Sequence, residues 1–323
     1  MELVLQESAK YIIDNCTDIG LKTRVLIIYD SSTKKILKYF TSQLKDNCKE
    51  VSVWEIPVSD RHGEEPVEDL YKKMLSVNVI LCMTRYSLAH TKARKLANER
   101  GIGFLSMPGY NADMMPLSAI KADYKSCVKT VERVSNLLSD ASKIEINSKA
   151  GTKLYIDATG RKGNCCPGFI NEKYLLGSPP DVEANVAPIE EKTEGIIVVD
   201  GSITHEKLGL LNLPMVLKIE KGKLSDISSE DENKKNILGN ILINSGSDKA
   251  LIVGELGIGL NPEAKLCGNM LVDEGTYGCI HFGFGSNWTI GGENKVDFHL
   301  DFVINSPTLI IDNNVIIKEG ELT

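Results

Sequence analysis

Histidine and carboxylate side chains occur close together near the end of the chain, at His281, His299 and Asp301. Residues 296–304 alternate between polar and apolar types, a pattern that predicts a half-buried strand. Because residues two apart on a strand point to the same face, His299 and Asp301 should project side by side. An imidazole beside a carboxylate suits Zn, Mn, Co or Fe. The alternative interpretation is one core histidine and one surface histidine without a shared role.

Three further carboxylates occupy positions that suit a ligand. Glu255 follows an apolar run and precedes a glycine-rich segment, which predicts a charge at the mouth of a buried strand. Glu183 lies in a predicted loop that enters a strand. If residues 267–280 form a helix, Glu274 and His281 lie two turns apart on one face. Each acid is also compatible with an ordinary strand end, loop or helix surface.

Together these residue types predict a site for divalent metal ions. Several carboxylates are needed to neutralise two divalent ions at close quarters, and imidazoles complete such a ligand set. Two ions about 3.5–4 Å apart can hold a bridging water as hydroxide and stabilise a tetrahedral intermediate. Two histidines with at least three carboxylates are therefore a plausible dinuclear set.

The elements that must position these residues follow two patterns along the chain. Short apolar, β-branched runs such as 24–29 alternate with helical segments, which predicts a parallel sheet flanked by helices. No Gly-x-Gly-x-x-Gly or Walker A motif supports nucleotide binding. Later segments read mostly as strands, with helices at about 230–244 and 267–280. We predict an α/β plus α+β fold, with a Rossmann-like α/β domain over 1–145 and a β-rich metal-binding domain over 146–323.

Composition narrows the class of protein. The 323 residues include 37 basic and 44 acidic side chains, and the net charge of −7 argues against nucleic acid or anionic membrane as a partner. The eight cysteines contain no Cys-x-x-Cys pair, which favours a reducing compartment. The acidic N-terminus is unlike a signal peptide, and no apolar run approaches the ~20 residues of a membrane span. We expect a cytoplasmic protein, and we also expect it to be a homodimer.

Read in order, these motifs resemble the aminopeptidase T / aminopeptidase S family of dinuclear metallo-aminopeptidases, whose shorter members are often named leucyl aminopeptidase. The resemblance covers most of the chain. In the first half it rests on Thr84–Arg94 and Met107-Pro108-Gly109. In the second half the matching segments are Gly151-Thr152, Gly160-Arg161-Lys162, Glu183 ahead of Ala187-Pro188, Gly254–Gly259, Asp273-Glu274-Gly275, His281–Gly285 and His299–Phe302.

The resemblance implies a metallo-aminopeptidase that removes N-terminal residues from peptides. It implies two divalent ions, Zn, Co or Mn, and a metal-bound hydroxide that attacks the peptide carbonyl. A carboxylate, Glu255 or Glu274, would shuttle the proton to the leaving amine. The implied metal ligands are Glu183, Glu255, His281, His299 and Asp301.

Two other functions are open alternatives. The peptidase family also resembles a mononuclear iron dioxygenase that opens dihydroxypyridine rings with two histidines and one carboxylate, which His281, His299 and Asp301 could supply. The other alternative is a metal-binding homologue without catalytic activity. Trp288 stands where longer peptidases carry a tyrosine, and Val182 stands where a glycine is usual. Metal content separates the three functions: two ions favour the peptidase, one iron the dioxygenase and none the third.

Overall fold

The computed structural model describes residues 1–323, and the chain forms two compact units. The first unit comprises residues 1–126 and 166–180, and the second comprises residues 127–165 and 181–323. The chain therefore passes between the units three times. The predicted domain boundary at 145/146 falls inside a strand of the second unit, and its value as a boundary between folding units stays a prediction.

Seven α-helices, two short 3-10 turns and twenty strands make up the chain. The helices are α1 Glu2–Cys16, α2 Lys34–Leu44, α3 Glu68–Met74, α4 Lys92–Glu99, α5 Tyr124–Asp140, α6 Glu232–Asn244 and α7 Met270–Glu274, and the 3-10 turns are Ser118–Lys121 and Asp248–Leu251. The strands are β1 Arg24–Tyr29, β2 Glu50–Glu55, β3 Val79–Met83, β4 Gly103–Ser106, β5 Lys143–Asn147, β6 Lys153–Asp157, β7 Asn164–Cys166, β8 Leu176–Gly177, β9 Glu183–Val186, β10 Thr193–Val199, β11 Ser202–Ile203, β12 Gly209–Leu210, β13 Met215–Glu220, β14 Lys223–Ser229, β15 Val253–Gly259, β16 Ile280–Gly285, β17 His299–Ile304, β18 Thr308–Ile311, β19 Asn314–Lys318 and β20 Glu321–Leu322. None of the helices has the length and apolar character that crossing a bilayer requires.

A five-stranded parallel sheet in the order β2-β1-β3-β4-β8 forms the first unit. Its interior strand β1 is apolar and buried after its first residue, as a strand covered on both faces must be. Leu26, Ile80 and Phe104 of the sheet share one buried cluster with Leu70 of α3 and Ala97 of α4. The prediction of a parallel sheet packed against helices is confirmed.

Helix α1 is an element that the sequence analysis missed. Leu5, Ala9, Ile12 and Cys16 are buried along it at spacings of four, three and four residues. That spacing is the apolar stripe of an amphipathic helix, so the signal was present in the sequence.

Two large sheets form the second unit. An eight-stranded sheet, in the order β14-β13-β10-β6-β5-β18-β19-β20, is antiparallel throughout. A seven-stranded sheet has the order β12-β11-β17-β16-β15-β9-β7, and its strands from β17 to β9 pair antiparallel. These sheets confirm the predicted β-rich character of the later part of the chain.

The predicted helix over 267–280 is wrong. Only α7, Met270–Glu274, is helical there, and β16 already begins at Ile280. Gly268 and Gly278 have φ values of +82° and +75°, in the left-handed region that interrupts a helix on both sides of α7. His281 consequently lies on a strand and shares no helix face with Glu274.

Candidate metal centre

The cluster is built on one face of the seven-stranded sheet. The register places Glu255, Gly283 and Asp301 opposite one another across β15, β16 and β17. His281 and His299 each precede a member of this row by two residues on the same strand, so their side chains share its face. Strand alternation and register together bring two imidazoles and two carboxylates to one place.

Glu255 and Glu183 occupy positions in the fold that differ from the predicted ones. Glu255 was predicted at the mouth of a strand, but it lies within β15, which is buried along its whole length. Glu183 opens β9 and pairs with Gly259 on the same face of the sheet. The error at Glu255 arose because residues 248–251 form a 3-10 turn, so that the strand begins later than the apolar run suggests.

Glycines create the space that the cluster occupies. A Cβ atom at Gly257 would overlap the imidazole ring of His281. A Cβ atom at Gly283 would lie 2.7 Å from Cε1 of His299 and 2.9 Å from Oδ1 of Asp301. The ligand side chains therefore lie over neighbouring strands at positions where any larger residue would displace them.

The side chains meet in close pairs. Nε2 of His281 lies 3.1 Å from Oε2 of Glu183. Nε2 of His299 lies 3.1 Å from Oδ1 of Asp301 and 3.4 Å from Oε2 of Glu255. The carboxylates of Asp301 and Glu255 thus present oxygen atoms to the same imidazole nitrogen.

These pairs belong to two compact groups of potential ligand atoms. One group contains Glu183, Glu255 and His281, and the other contains Glu255, His299 and Asp301. Within each group the ligand atoms lie within 4.8 Å of one another. Glu255 is common to both groups, and each group contains one histidine. The side chain of His299 is 19% exposed, against 3% for His281, so solvent reaches the cluster beside His299.

Hydrogen bonds orient the His299 and Asp301 side chains. Nδ1 of His299 lies 3.3 Å from the carbonyl oxygen of Ser286. Because that carbonyl can only accept, Nδ1 carries the hydrogen and Nε2 presents its lone pair to the carboxylates when the ring is neutral. The Thr204 hydroxyl donates to Oδ2 of Asp301 over 3.3 Å, leaving Oδ1 directed at His299.

The carboxylates strongly favour positive charge at the imidazoles. Burial by itself lowers the pKa of His281, but the negative charges of Glu183, Asp301 and Glu255 outweigh it and raise the pKa to about 9. The pKa of His299 is raised to about 10 against the same effect of burial, chiefly by Asp301. Burial would raise the pKa of Asp301, yet the two histidines hold it well below its usual range.

Other carboxyl groups of the cluster are shifted towards their neutral forms. Burial and the charge of Glu183 raise the pKa of Glu255 to about 7. Burial and the surrounding carboxylates raise the pKa of Asp181 and of Glu274 well above the usual range. After burial, the charge of Asp301 contributes most to the raised pKa of Glu274. The structure therefore brings Glu274 into the cluster, although not by the helical geometry that the sequence suggested.

Three residues of the site escaped the sequence analysis: Asp181, Asn185 and Thr204. Asn185 donates from Nδ2 to Oε1 of Glu183 over 2.6 Å. Its spacing of two from Glu183 is the same strand signal that linked His299 to Asp301. Asp181 also lies two residues from Glu183, although before β9 begins, whereas Thr204 reaches Asp301 only through a tertiary contact.

The donor set fits a cation. Oε2 of Glu183 and Oδ1 of Asp301 are buried and accept no hydrogen bond, although each faces a histidine nitrogen. Buried acceptors without donors are costly to a fold, and a metal ion would satisfy both. Imidazole and carboxylate donors suit first-row transition metals such as iron.

Comparison with known proteins decides the family. The model of the NicX family, 2,5-dihydroxypyridine 5,6-dioxygenase, matches residues 38–323. The chain belongs to this family. A search of curated proteins found no match to this chain.

Two solved structures share the fold of this NicX-family chain. The structure of 2,5-dihydroxypyridine dioxygenase from Pseudomonas putida KT2440 superposes with a TM-score of 0.81 and 18% identity, covering 99% of this chain and 96% of that one. AmpT from Thermus thermophilus superposes with a TM-score of 0.69 and 13% identity, covering 100% of this chain and 99% of that one. At such identities both comparisons show a common fold.

The family match corrects the predicted activity. The predicted function, a metallo-aminopeptidase and therefore a hydrolase acting on peptides, is wrong, because the family that matches residues 38–323 is one of dioxygenases. The resemblance to aminopeptidase T holds for the fold, as the AmpT structure shows. The coarser prediction of an enzyme with a metal-dependent fold is confirmed, and the dioxygenase matches point to an oxidoreductase and not to a hydrolase.

Proposed function

We propose that this protein is an iron-dependent dioxygenase that opens the ring of a dihydroxylated pyridine. The observation that carries the proposal is the match to the dihydroxypyridine dioxygenase family over residues 38–323, a range that contains every residue of the buried cluster. The substrate is the one named for that family and for the similar Pseudomonas structure.

His281, His299 and Asp301 would hold the iron. Two histidines and one carboxylate, with positions left open, are the ligand set of non-haem Fe(II) oxygenases. The charge of Asp301 raises the pKa of both histidines, which supports a ligand role in the same site. When bound, the iron would supply the redox chemistry needed to use dioxygen.

The remaining carboxyl groups would accept a proton or lie beside the metal ligands. Glu255, whose pKa is raised to about 7, would take a proton from a substrate hydroxyl group near neutral pH. Burial and the charge of Asp301 raise the pKa of Glu274 well above its usual range, which favours a neutral Glu274 carboxyl beside the ligand Asp301. Glu183, whose Oε2 lies 3.1 Å from Nε2 of His281, would face the ion beside that ligand.

The proposal also specifies the number of metal ions per chain. We expect one iron per chain, because a ring-opening dioxygenase of this ligand type needs one. The two compact groups that share Glu255 also have the form of a dinuclear site, with Glu183 and His281 beside one ion and His299 and Asp301 beside the other. Elemental analysis of protein purified without oxygen distinguishes one ion from two.

The test is oxygen uptake by iron-loaded protein with 2,5-dihydroxypyridine. We expect one dioxygen consumed per ring opened, loss of the aromatic absorbance of the substrate, and both atoms of ¹⁸O₂ in the product. His299→Ala should abolish uptake, whereas Lys218→Ala, at an exposed surface pair, should not. An iron-loaded protein that leaves both substrate and oxygen unchanged would refute the proposal. Light scattering of the same sample would test the expected homodimer.

A further inference from the structure

We infer that Asn185 is a positioning residue that decides which oxygen of Glu183 faces the cation, and that Asn164 holds Asn185 in place. Asn185 is buried and lies two residues after Glu183 on β9, so both side chains share the face of the cluster. Nδ2 of Asn185 donates to Oε1 of Glu183 over 2.6 Å. This inference rests on the proposed function only in requiring a metal at the cluster.

The orientation of both amides follows from one backbone carbonyl. Nδ2 of Asn164 lies 3.1 Å from the carbonyl oxygen of Ile290 and 2.9 Å from Oδ1 of Asn185. A carbonyl can only accept, so Asn164 must present its NH₂ group there, and the second hydrogen of that group points to Asn185. Asn185 therefore turns its oxygen to Asn164 and its NH₂ group to Glu183.

The result is that the two oxygens of Glu183 differ. Oε1 is occupied by the amide of Asn185, while Oε2 is buried, accepts no hydrogen bond and lies 3.1 Å from Nε2 of His281. Oε2 keeps both of its lone pairs for a cation, whereas the amide of Asn185 uses one lone pair of Oε1. Without Asn185 the carboxylate could rotate, and either oxygen or both could face the ion.

The same chain of amides reaches the other side of the cluster. Ile290 belongs to the segment 286–298, which joins β16 to β17. The first residue of this segment, Ser286, holds His299 through its carbonyl oxygen. Asn164 thus ties the Glu183 side of the cluster to the segment that orients His299. Partners of metal ligands that fix orientation typically change metal affinity by about 10–100-fold when removed.

The experiment compares Co(II) binding by anaerobic metal-free protein with its substituted forms. Asn185→Ala should weaken Co(II) binding by about 10–100-fold in calorimetry and shift the visible absorption of the bound ion, which reports its coordination. Asn164→Ala should change the same spectrum with a smaller loss of affinity, about tenfold or less. Asn305→Ala is the matched control, because its side-chain amide donates to the carbonyl of Asp200 and not to the cluster.

The outcomes separate this inference from the proposed function. Wild-type Co(II) affinity and an unchanged spectrum in Asn185→Ala would overturn the inference, whatever the oxygen assay shows. If that variant does not fold, an unchanged spectrum in Asn164→Ala overturns it instead. If wild-type protein binds Co(II) but opens no ring when it is loaded with iron, the proposed function is rejected and the Co(II) comparison of the variants still tests the inference. Wild-type protein that binds no Co(II) would overturn both.

Discussion

At the scale of single residues, the cluster depends on Gly283 having no side chain. Gly283→Ala would place a methyl group 2.7 Å from Cε1 of His299 and 2.9 Å from Cβ of Glu255, closer than such atoms approach. We expect Co(II) or Fe(II) affinity to fall by at least about tenfold, because ligand displacement outweighs any gain from the smaller backbone entropy of alanine. The measurement is a metal titration with thermal unfolding of the metal-free protein alongside.

Gly239→Ala provides the control for this substitution. Gly239 lies within α6, and no atom outside the neighbouring helix backbone approaches its Cβ position within 4 Å. Alanine there should raise stability by up to about 1 kcal/mol and leave metal affinity unchanged. Equal metal binding by both variants would show that the space at Gly283 does not matter for the site.

The raised pKa values of the histidines predict how the metal-free protein responds to pH. The pKa of His281 is raised from 6.5 to about 9 and that of His299 from 6.5 to about 10. The folded state therefore binds these protons more tightly than the unfolded state, and their contribution to stability is complete below about pH 6.5. It is lost as the pH rises through 9 to 10.

Thermal unfolding of metal-free protein between pH 6.5 and 10 should show this decline. Metal-loaded protein should show much less of it, because a coordinated imidazole must be neutral and metal binding has already displaced the proton. A metal-free unfolding temperature that rises across this range would contradict the assigned charges of the two histidines.

At the scale of elements, the segment 286–298 is held from outside the sheet by one ion pair. Arg161 and Glu190 form a 2.5 Å contact with side chains only 13% and 16% exposed. Oε1 of Glu190 also accepts from the backbone of Glu293 and from Asn287, while Arg161 donates to the carbonyl of Gly291. The segment that immediately precedes His299 is therefore held by several contacts.

Glu190→Ala should loosen this segment. Loss of a partly buried carboxylate that accepts several hydrogen bonds is expected to cost about 2 kcal/mol of stability. Hydrogen exchange at the amides of Glu293 and Asn294 should quicken, while exchange in β16 stays slow. Glu319→Gln is the control, because its pair with Lys149 is largely exposed and contributes little. Unchanged exchange at Glu293 in Glu190→Ala would show that the ion pair does not anchor the segment.

At the scale of the whole molecule, the discontinuous units predict which fragments can fold. Strand β5, Lys143–Asn147, lies between β6 and β18 in the eight-stranded sheet. A fragment of residues 146–323 lacks most of β5, so the sheet loses the strand that joins its two halves. It also lacks α5, which packs against the chain at Gly163. We expect this fragment to aggregate or to unfold without a cooperative transition.

Circular dichroism during heating is the measurement. A fragment of residues 127–323 retains β5 and the part of α5 that belongs to the second unit, so it is the matched comparison. We expect it to keep more native β structure than the shorter fragment. Cooperative unfolding of residues 146–323 would support the predicted boundary at 145/146 and contradict the role given to β5.

Local patterns were sufficient for part of this protein. The alternation around His299 and Asp301 correctly placed both on one strand face, and the apolar runs near Arg24 correctly predicted a parallel sheet. Both features depend on neighbours in sequence, through the two-residue period of a strand and the burial of apolar side chains. The order of the motifs along the chain also indicated which residues lie together in the fold, since all five predicted ligands are in the cluster.

Tertiary structure decided the rest. The pairing of Glu255 with Gly283, and of Gly283 with Asp301, depends on strand register between distant segments, which no local pattern encodes. The roles of Gly257 and Asn185 also became visible only when the neighbouring strands were in place. The chemistry was misjudged for a related reason. AmpT and a dihydroxypyridine dioxygenase share one fold, and protein function is set by details of the site that neither the fold nor the residue types contain.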